Sequence, residues 1–144
     1  MASATTDAAP NAAQDYAPMR GGIVPSLTLP DAAAAAEFYK RAFGAVEADR
    51  RHNDAGTRII FCHLQINGSS LVISDGAPEQ GMPAVPMQGF NLMLPVTEID
   101  AFWNRAVEAG AEVQMPLQLM FWGDRFGLVK DPFGVTWSMV GPAD

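Results

Sequence analysis

The chain has few side chains that could act as a nucleophile or a base. Cys62 and His63 are adjacent in TRIIFCHLQI, a segment with the β-branched and aromatic composition of a strand. Nucleophilic catalysis needs a thiol within hydrogen-bond reach of a base. Adjacent side chains on a strand point to opposite faces, so Cys62 and His63 are not expected to form a catalytic pair. We interpret Cys62 as a small apolar residue of the core.

Two carboxylates are candidates for general acid–base chemistry, Asp75 and Asp124. That chemistry needs a carboxyl group in an apolar pocket, where its pKa moves toward neutrality. Asp124 precedes Arg125, but adjacent strand residues alternate between faces and are not simple partners. Either residue is therefore expected to pair with another element or to orient a ligand at a cavity rim.

Other residues are candidates for ligand contact. His63 and Gln65 share one face of their strand and could reach a cavity, whereas His52 lies in a polar turn and is interpreted as solvated. The segment QMPLQLMFWGD is rich in methionine and aromatic side chains, which suit either a core or an adaptable apolar pocket. Trp122, just before a glycine, is the best candidate there for ligand contact.

The elements that position these residues occur twice. FYKRAF followed by GAVEA in the first half matches FWNRAV followed two residues later by GAEVQ in the second. Each half is predicted to run β-α-β-β-β, and a repeat of this kind fixes the architecture. The predicted fold is α+β, with two βαβββ modules pairing into an incomplete eight-stranded barrel and helices outside. Its concave face is where a small ligand would bind.

The domain boundaries follow from this repeat. Residues 1–21 are predicted to form a flexible N-terminal tail, and residues 22–142 a single domain. Module one spans about 22–76 and module two about 89–142. The linker 77–88, rich in proline and methionine, is a plain connector or a lid over the pocket.

Capping signals bound the two predicted helices. Asp31 is expected to cap the first helix and Gly44 to end it. Thr97 is expected to cap the second, with Asp100 three residues later in an arrangement like a capping box. Asn67-Gly68 predicts a two-residue hairpin turn.

Most residues of the last motif, DRFGLVKDPFGVTWSM, are interpreted as structural. Asp131 and Gly134 fit the first and last positions of a type I turn. Gly127 is expected to admit a close neighbour or a bulge. Trp137 is expected under a helix, with Ser138 on the opposite strand face toward the cavity.

Composition excludes some functions. The formal net charge is −7 and the sequence pI is about 4.6, so neither nucleic acid nor an anionic membrane is an expected partner. No run of apolar residues approaches the length of a membrane-spanning helix, and the N-terminus lacks the features of a signal peptide. With a single cysteine, no intramolecular disulfide is possible, and a cytoplasmic location is the simplest expectation.

The duplicated pattern resembles the vicinal oxygen chelate superfamily of glyoxalase I, bleomycin-resistance proteins and extradiol dioxygenases, and most closely its PhnB-like branch. Residues 26–45, 63–75 and 121–139 carry the resemblance, which covers residues 22–142. It implies a homodimer, and it implies one divalent metal on the concave face, bound by His or Glu on the first and last strands of each half. The corresponding positions are Val24 or Ser26, Ser74 or Asp75, Asn91, and Ser138.

None of these positions carries His or Glu, so metal-dependent chemistry of the superfamily is not expected and no cofactor is predicted. The predicted function is binding of a small, largely apolar or aromatic molecule in the concave pocket. The alternative is a small-molecule enzyme of glyoxalase type, a lyase, isomerase or transferase. No glycine-rich loop for S-adenosylmethionine is present. The candidate ligand-binding residues are His63, Gln65, Asn91, Trp122 and Ser138.

Overall fold

The computed structural model describes residues 17–143, and the first 16 residues of the predicted tail lie outside this range. The described chain begins with residues 17–25, which lack regular secondary structure. Module one comprises β1 (Ser26–Leu29), α1 (Ala32–Phe43), β2 (Val46–His52), β3 (Ile59–Ile66) and β4 (Ser69–Asp75). Module two comprises β5 (Leu92–Pro95), α2 (Ile99–Ala109), β6 (Glu112–Leu119), β7 (Arg125–Lys130) and β8 (Thr136–Gly141).

Each module forms its own four-stranded sheet. The strand orders are β1-β4-β3-β2 and β5-β8-β7-β6, so the two sheets repeat one topology. The first and last strands of each module pair in parallel, and the other pairs are antiparallel. The predicted α+β architecture of two βαβββ modules in an incomplete barrel is confirmed, since the sheets do not close on one another.

Helix α1 begins and ends where its sequence signals predict. The Asp31 side chain accepts a hydrogen bond from the backbone N–H of Ala34 at 3.0 Å. Gly44 ends the helix with φ of 69°, in the left-handed region that glycine adopts without strain. Arg105 of α2 donates to the carbonyl oxygens of Lys40 and Arg41, so the second module also caps this helix end.

Helix α2 differs from its prediction at the N-terminus. It starts at Ile99 with Glu98 at the capping position, and no side chain there bonds the helix backbone. The assignment of Thr97 as the cap is therefore wrong. Asp100 instead accepts hydrogen bonds from Arg125 of β7. Asp100 thus forms an ion pair with Arg125 and does not take the capping-box role that the sequence pattern favours.

The predicted turns are present. Asn67 and Gly68 have φ of 52° and 82°, as a type I′ hairpin turn requires. Gly134 donates its backbone N–H to the carbonyl oxygen of Asp131, closing the β7–β8 turn. Beside the strand, the Trp103 ring lies against Gly127, the close neighbour expected there.

One apolar core joins the two modules through α1. Tyr39 is buried against Trp137 of β8, with ring centroids 5.3 Å apart. Its hydroxyl donates to Asp131 at 2.6 Å. Burial, and then the charge of Asp131, raises the pKa of Tyr39 well above its usual range. Asp131 is therefore a link between modules as well as a turn residue.

Between residues 17 and 143, no helix has the length and apolar character needed to cross a membrane.

Candidate functional site

A groove of about 260 Å³ lies between the two modules. It is bounded by the β3–β4 hairpin and the segment before β1 on one side, and by β5 with Trp137 of β8 on the other. Its lining residues are Ile23, Pro25, Ile66, Ser69, Ser70, Leu71, Asn91, Leu92, Met93, Leu94 and Trp137. Most are apolar, and the polar ones carry hydroxyl or amide groups. A volume of this size suits a molecule of one or two rings, since about 150 Å³ already holds benzene.

The polar wall of module one is built by β3, β4 and the N-terminal segment. Ser70 pairs with Gln65 in the β3–β4 register, which places it on the strand face that also carries His63. The His63 Nε2 atom lies 2.7 Å from the Ser70 hydroxyl oxygen. Arg20 donates its backbone N–H to that oxygen, and its carbonyl accepts from the Ser70 N–H. Both His63 and Ser70 are almost completely buried.

The polar wall of module two is built by β5 and β8. Met93 pairs with Ser138 in the parallel β5–β8 register, and Asn91 lies two residues before Met93. The buried Ser138 hydroxyl donates to the side-chain oxygen of Asn91 at 2.7 Å. Asn91 itself is exposed and lines the groove. The structure thus brings two of the predicted ligand-binding residues into direct contact, but only Asn91 lines the groove, and Ser138 is fully buried outside the lining.

The other predicted ligand-binding residues occupy different positions. His63 reaches the groove only through Ser70, and Gln65 is half-buried beside Ser70 but outside the groove lining. Trp122 lies in the β6–β7 turn, also outside that lining, and packs edge-on against Phe121 and Phe126. Their assignment as ligand contacts stays a prediction.

The two candidate carboxylates have different surroundings. Both Asp75 oxygens accept backbone hydrogen bonds at 2.8 Å, one from Ala32 and one from Ile59. Asp75 therefore ties the start of α1 to the start of β3, and its oxygens are engaged in structural bonds. Asp124 lies in the β6–β7 turn, where its carbonyl accepts from Met120.

Cys62 and His63 point to opposite faces of β3, as strand geometry predicts. Cys62 is buried with the residues that face α1, next to Glu47 and Arg50 of β2. Burial, and then the charge of Glu47, raises the pKa of the thiol. A thiol held in its neutral form and turned away from His63 is unsuited to nucleophilic catalysis.

The residues present do not fit the divalent metal that the resemblance implies. The Ser138 hydroxyl donates to the Asn91 side-chain oxygen, and Asp75 is held by two backbone amides. Neutral hydroxyl and amide groups are poor ligands for zinc or iron. Within residues 17–143, no three His, Cys, Asp or Glu side chains cluster so that they could hold a metal ion.

Sequence reasoning missed Ser70 as a member of this site. Its signal was available, because Ser70 is the second residue after the Asn67-Gly68 turn and faces the same side as His63. Its partner Arg20 belongs to the segment predicted as a tail, 50 residues away in sequence. No local sequence pattern indicates a contact between residues so far apart.

A family model described as the Glyoxalase/Bleomycin resistance protein/Dioxygenase superfamily matches residues 23–139. The uncharacterized protein Mb0911c of Mycobacterium bovis is 40% identical over 124 residues, which are 82% of this chain and 81% of that relative. These likenesses extend over most of both chains.

Solved structures share the fold. TioX from Micromonospora sp. ML1 superposes with a TM-score of 0.67 at 27% sequence identity, over 84% of this chain and 98% of TioX. The PhnB protein from Bacillus cereus superposes with a TM-score of 0.65 at 20% identity, over 84% of this chain and 99% of that protein. At the latter identity the likeness shows the fold alone.

Proposed function

Because the chain belongs to the glyoxalase/bleomycin resistance protein/dioxygenase superfamily, we propose that it binds a small, largely apolar or aromatic molecule in the groove between its modules, without a metal. The observation that carries this proposal is the groove lining. Within residues 17–143, it combines apolar side chains with hydroxyl and amide groups and contains no Asp, Glu, His, Lys, Arg or Cys. Such a surface can hold and orient a ligand but offers no group to transfer a proton. Within the superfamily we place the chain in the PhnB-like branch, on its C-terminal motif.

The alternative, an enzyme of glyoxalase type, is favoured by one observation. His63 is a titratable group one hydrogen bond away from the groove, through Ser70. Elemental analysis of protein purified without chelator separates the two functions. Near-stoichiometric divalent metal would favour the enzyme, whereas a preparation without metal that still binds aromatic ligands supports the binding function.

Replacing Met93 by Asp is expected to weaken binding of a naphthalene-sized ligand at least ~10-fold, because it puts a charge into the apolar wall. Met93 lines the groove and is 55% exposed, so the change should leave folding intact. Calorimetric titration of the full chain with 2-acetylnaphthalene measures the effect. Met82→Asp is the matched control, since Met82 is 57% exposed and lies outside this groove. Equal affinity in wild type and Met93→Asp would rule out the groove as the binding site.

We also propose that the protein is a homodimer. Support comes from apolar side chains left exposed, among them Phe121 at 96% and Leu119 at 66% around the β6–β7 turn. Clustered exposed apolar residues are typical of interaction surfaces. Light scattering of purified protein is expected to give twice the 15.4 kDa chain mass. A Phe121→Asp variant should shift the mass toward that of one chain, and a wild-type mass of one chain would refute the proposal.

A further inference from the structure

The groups around the Ser70 hydroxyl have one more hydrogen to donate than they have acceptors to receive it. Arg20 contributes a backbone N–H, Ser70 a hydroxyl hydrogen, and a neutral His63 one ring N–H. The Ser70 oxygen accepts from Arg20, and only one hydrogen can lie between Ser70 and the His63 Nε2 atom. Among the described residues, the third hydrogen therefore has no acceptor.

The position of that hydrogen depends on the His63 tautomer. If Ser70 donates to Nε2, the hydrogen is on Nδ1 of a ring that is 1% exposed, where no acceptor is recorded within residues 17–143. If Nε2–H donates to Ser70, the unmatched hydrogen is the hydroxyl of Ser70, a residue of the groove lining. A buried N–H without a partner is rare and costly. An acceptor in the groove would therefore select the second arrangement.

The opposite wall of the groove also presents donors. The side-chain oxygen of Asn91 is occupied by the Ser138 hydroxyl. The two N–H groups of the Asn91 amide have no partner recorded in the described part of the chain. They belong to an exposed residue of the groove lining, so a bound molecule can reach them. Module one and module two thus both offer hydrogen-bond donors to the same space.

We infer that the groove selects small molecules whose polar group is a hydrogen-bond acceptor, a carbonyl or carboxylate oxygen. The Ser70 hydroxyl and the Asn91 amide donate to such oxygens, while Leu92, Met93 and Pro25 contact the apolar body of the molecule. His63 is a positioning residue that fixes the Ser70 hydroxyl by donating from Nε2. This inference names the ligand class of the proposed groove and rests on that proposed function.

A pair of isosteric probes tests the selectivity. 2-Acetylnaphthalene carries a carbonyl oxygen where 2-isopropenylnaphthalene carries a CH₂ group. An apolar groove without donors would favour the alkene, because transfer of a carbonyl from water is costly. With the donors in place, calorimetric titration of the full chain is expected to show the ketone binding about 3- to 10-fold more tightly. 2-Naphthoate, as a third probe, shows whether a carboxylate or a neutral carbonyl is preferred.

Two variants assign the preference to the named groups. Asn91→Asp keeps an acceptor for Ser138 but replaces the amide donors by a charged oxygen, so the ketone preference should fall about 3-fold and 2-naphthoate should bind much more weakly. Asn104→Asp on the outer side of α2 adds the same charge away from the groove and should leave both values unchanged. Ser70→Ala should also reduce the preference. Because Ser70 is buried, NMR spectra of the Ser70→Ala protein are used to check that this variant is folded.

The role of His63 has a spectroscopic readout that a packing role would not produce. In the complex with 2-acetylnaphthalene, the ¹⁵N chemical shifts of the ring nitrogens are expected to show the Nε2–H tautomer. In the complex with 2-isopropenylnaphthalene, they are not expected to show it. Equal affinity for ketone and alkene would overturn the inference but leave the proposed function standing. Failure of all three probes to bind would overturn both.

Discussion

Replacing Asp131 by Asn is expected to lower the free energy of unfolding by about 3–5 kcal/mol. One carboxylate oxygen accepts from the backbone N–H groups of Phe133 and Val135, both at 2.9 Å. The other accepts from the Tyr39 hydroxyl at 2.6 Å and the Trp137 indole N–H at 2.9 Å. Asparagine has the same shape but turns an NH₂ group toward one donor pair. Two buried donors would then face a donor, and the charge that strengthens all four hydrogen bonds would be gone.

Urea denaturation measures this loss. Tyr39→Phe is the matched variant, because it removes one donor and leaves the carboxylate with three; it should cost about 1.5–3 kcal/mol. In the double variant the two costs should not add, since the residues share one hydrogen bond. An Asp131→Asn protein within 1 kcal/mol of wild type would show that Asp131 does not link the modules energetically.

Replacing Gly127 by Val is expected to cost about 3 kcal/mol and to lower the melting temperature by roughly 10 °C. A Cβ atom at this position would lie 2.7 Å from the Trp103 ring and 3.0 Å from the Met115 carbonyl oxygen. Trp103 is a buried residue of α2 itself, so its ring cannot turn into solvent. Strand β7 would therefore have to move away from the helix that packs on it.

A compensating change tests this explanation. Trp103→Leu removes the ring that meets the new side chain, so adding it to Gly127→Val should cost less than the sum of the two single changes. Gly22→Val is the control, because a Cβ there has no neighbour within 4 Å. Strictly additive costs, measured by thermal unfolding, would contradict a clash with Trp103.

The fold was predictable because its signals are local and occur twice. The α1 boundaries follow from Asp31 and Gly44, and the β3–β4 hairpin follows from Asn67-Gly68. The α2 start was mispredicted because Thr97 has a good capping side chain that the helix does not use. Asp100, the other half of that pattern, pairs instead with Arg125, which is 25 residues away in sequence.

The site was less predictable because its polar groups act through partners distant in sequence. Asn91 and Ser138 could be placed from the strand pattern, but their mutual hydrogen bond spans 47 residues. Asp131 could be identified as a turn residue, whereas its bond to Tyr39 spans 92 residues and depends on how the modules pack. Ser70 acquires its role from Arg20 and His63, and no spacing rule connects these three.

The bonds from Arg105 to the last carbonyls of α1 have a consequence for folding. Nε and Nη2 of Arg105 satisfy the oxygens of Arg41 and Lys40, at 2.7 Å and 3.1 Å, across 64 and 65 residues. Gly44 also donates to the Lys40 oxygen, so docking of the second helix adds bonds to a helix end that the first half already closes in part. Although the two halves repeat one pattern, the first half does not supply every hydrogen bond at the end of its own helix. We expect the duplicated units to melt together in a single cooperative transition.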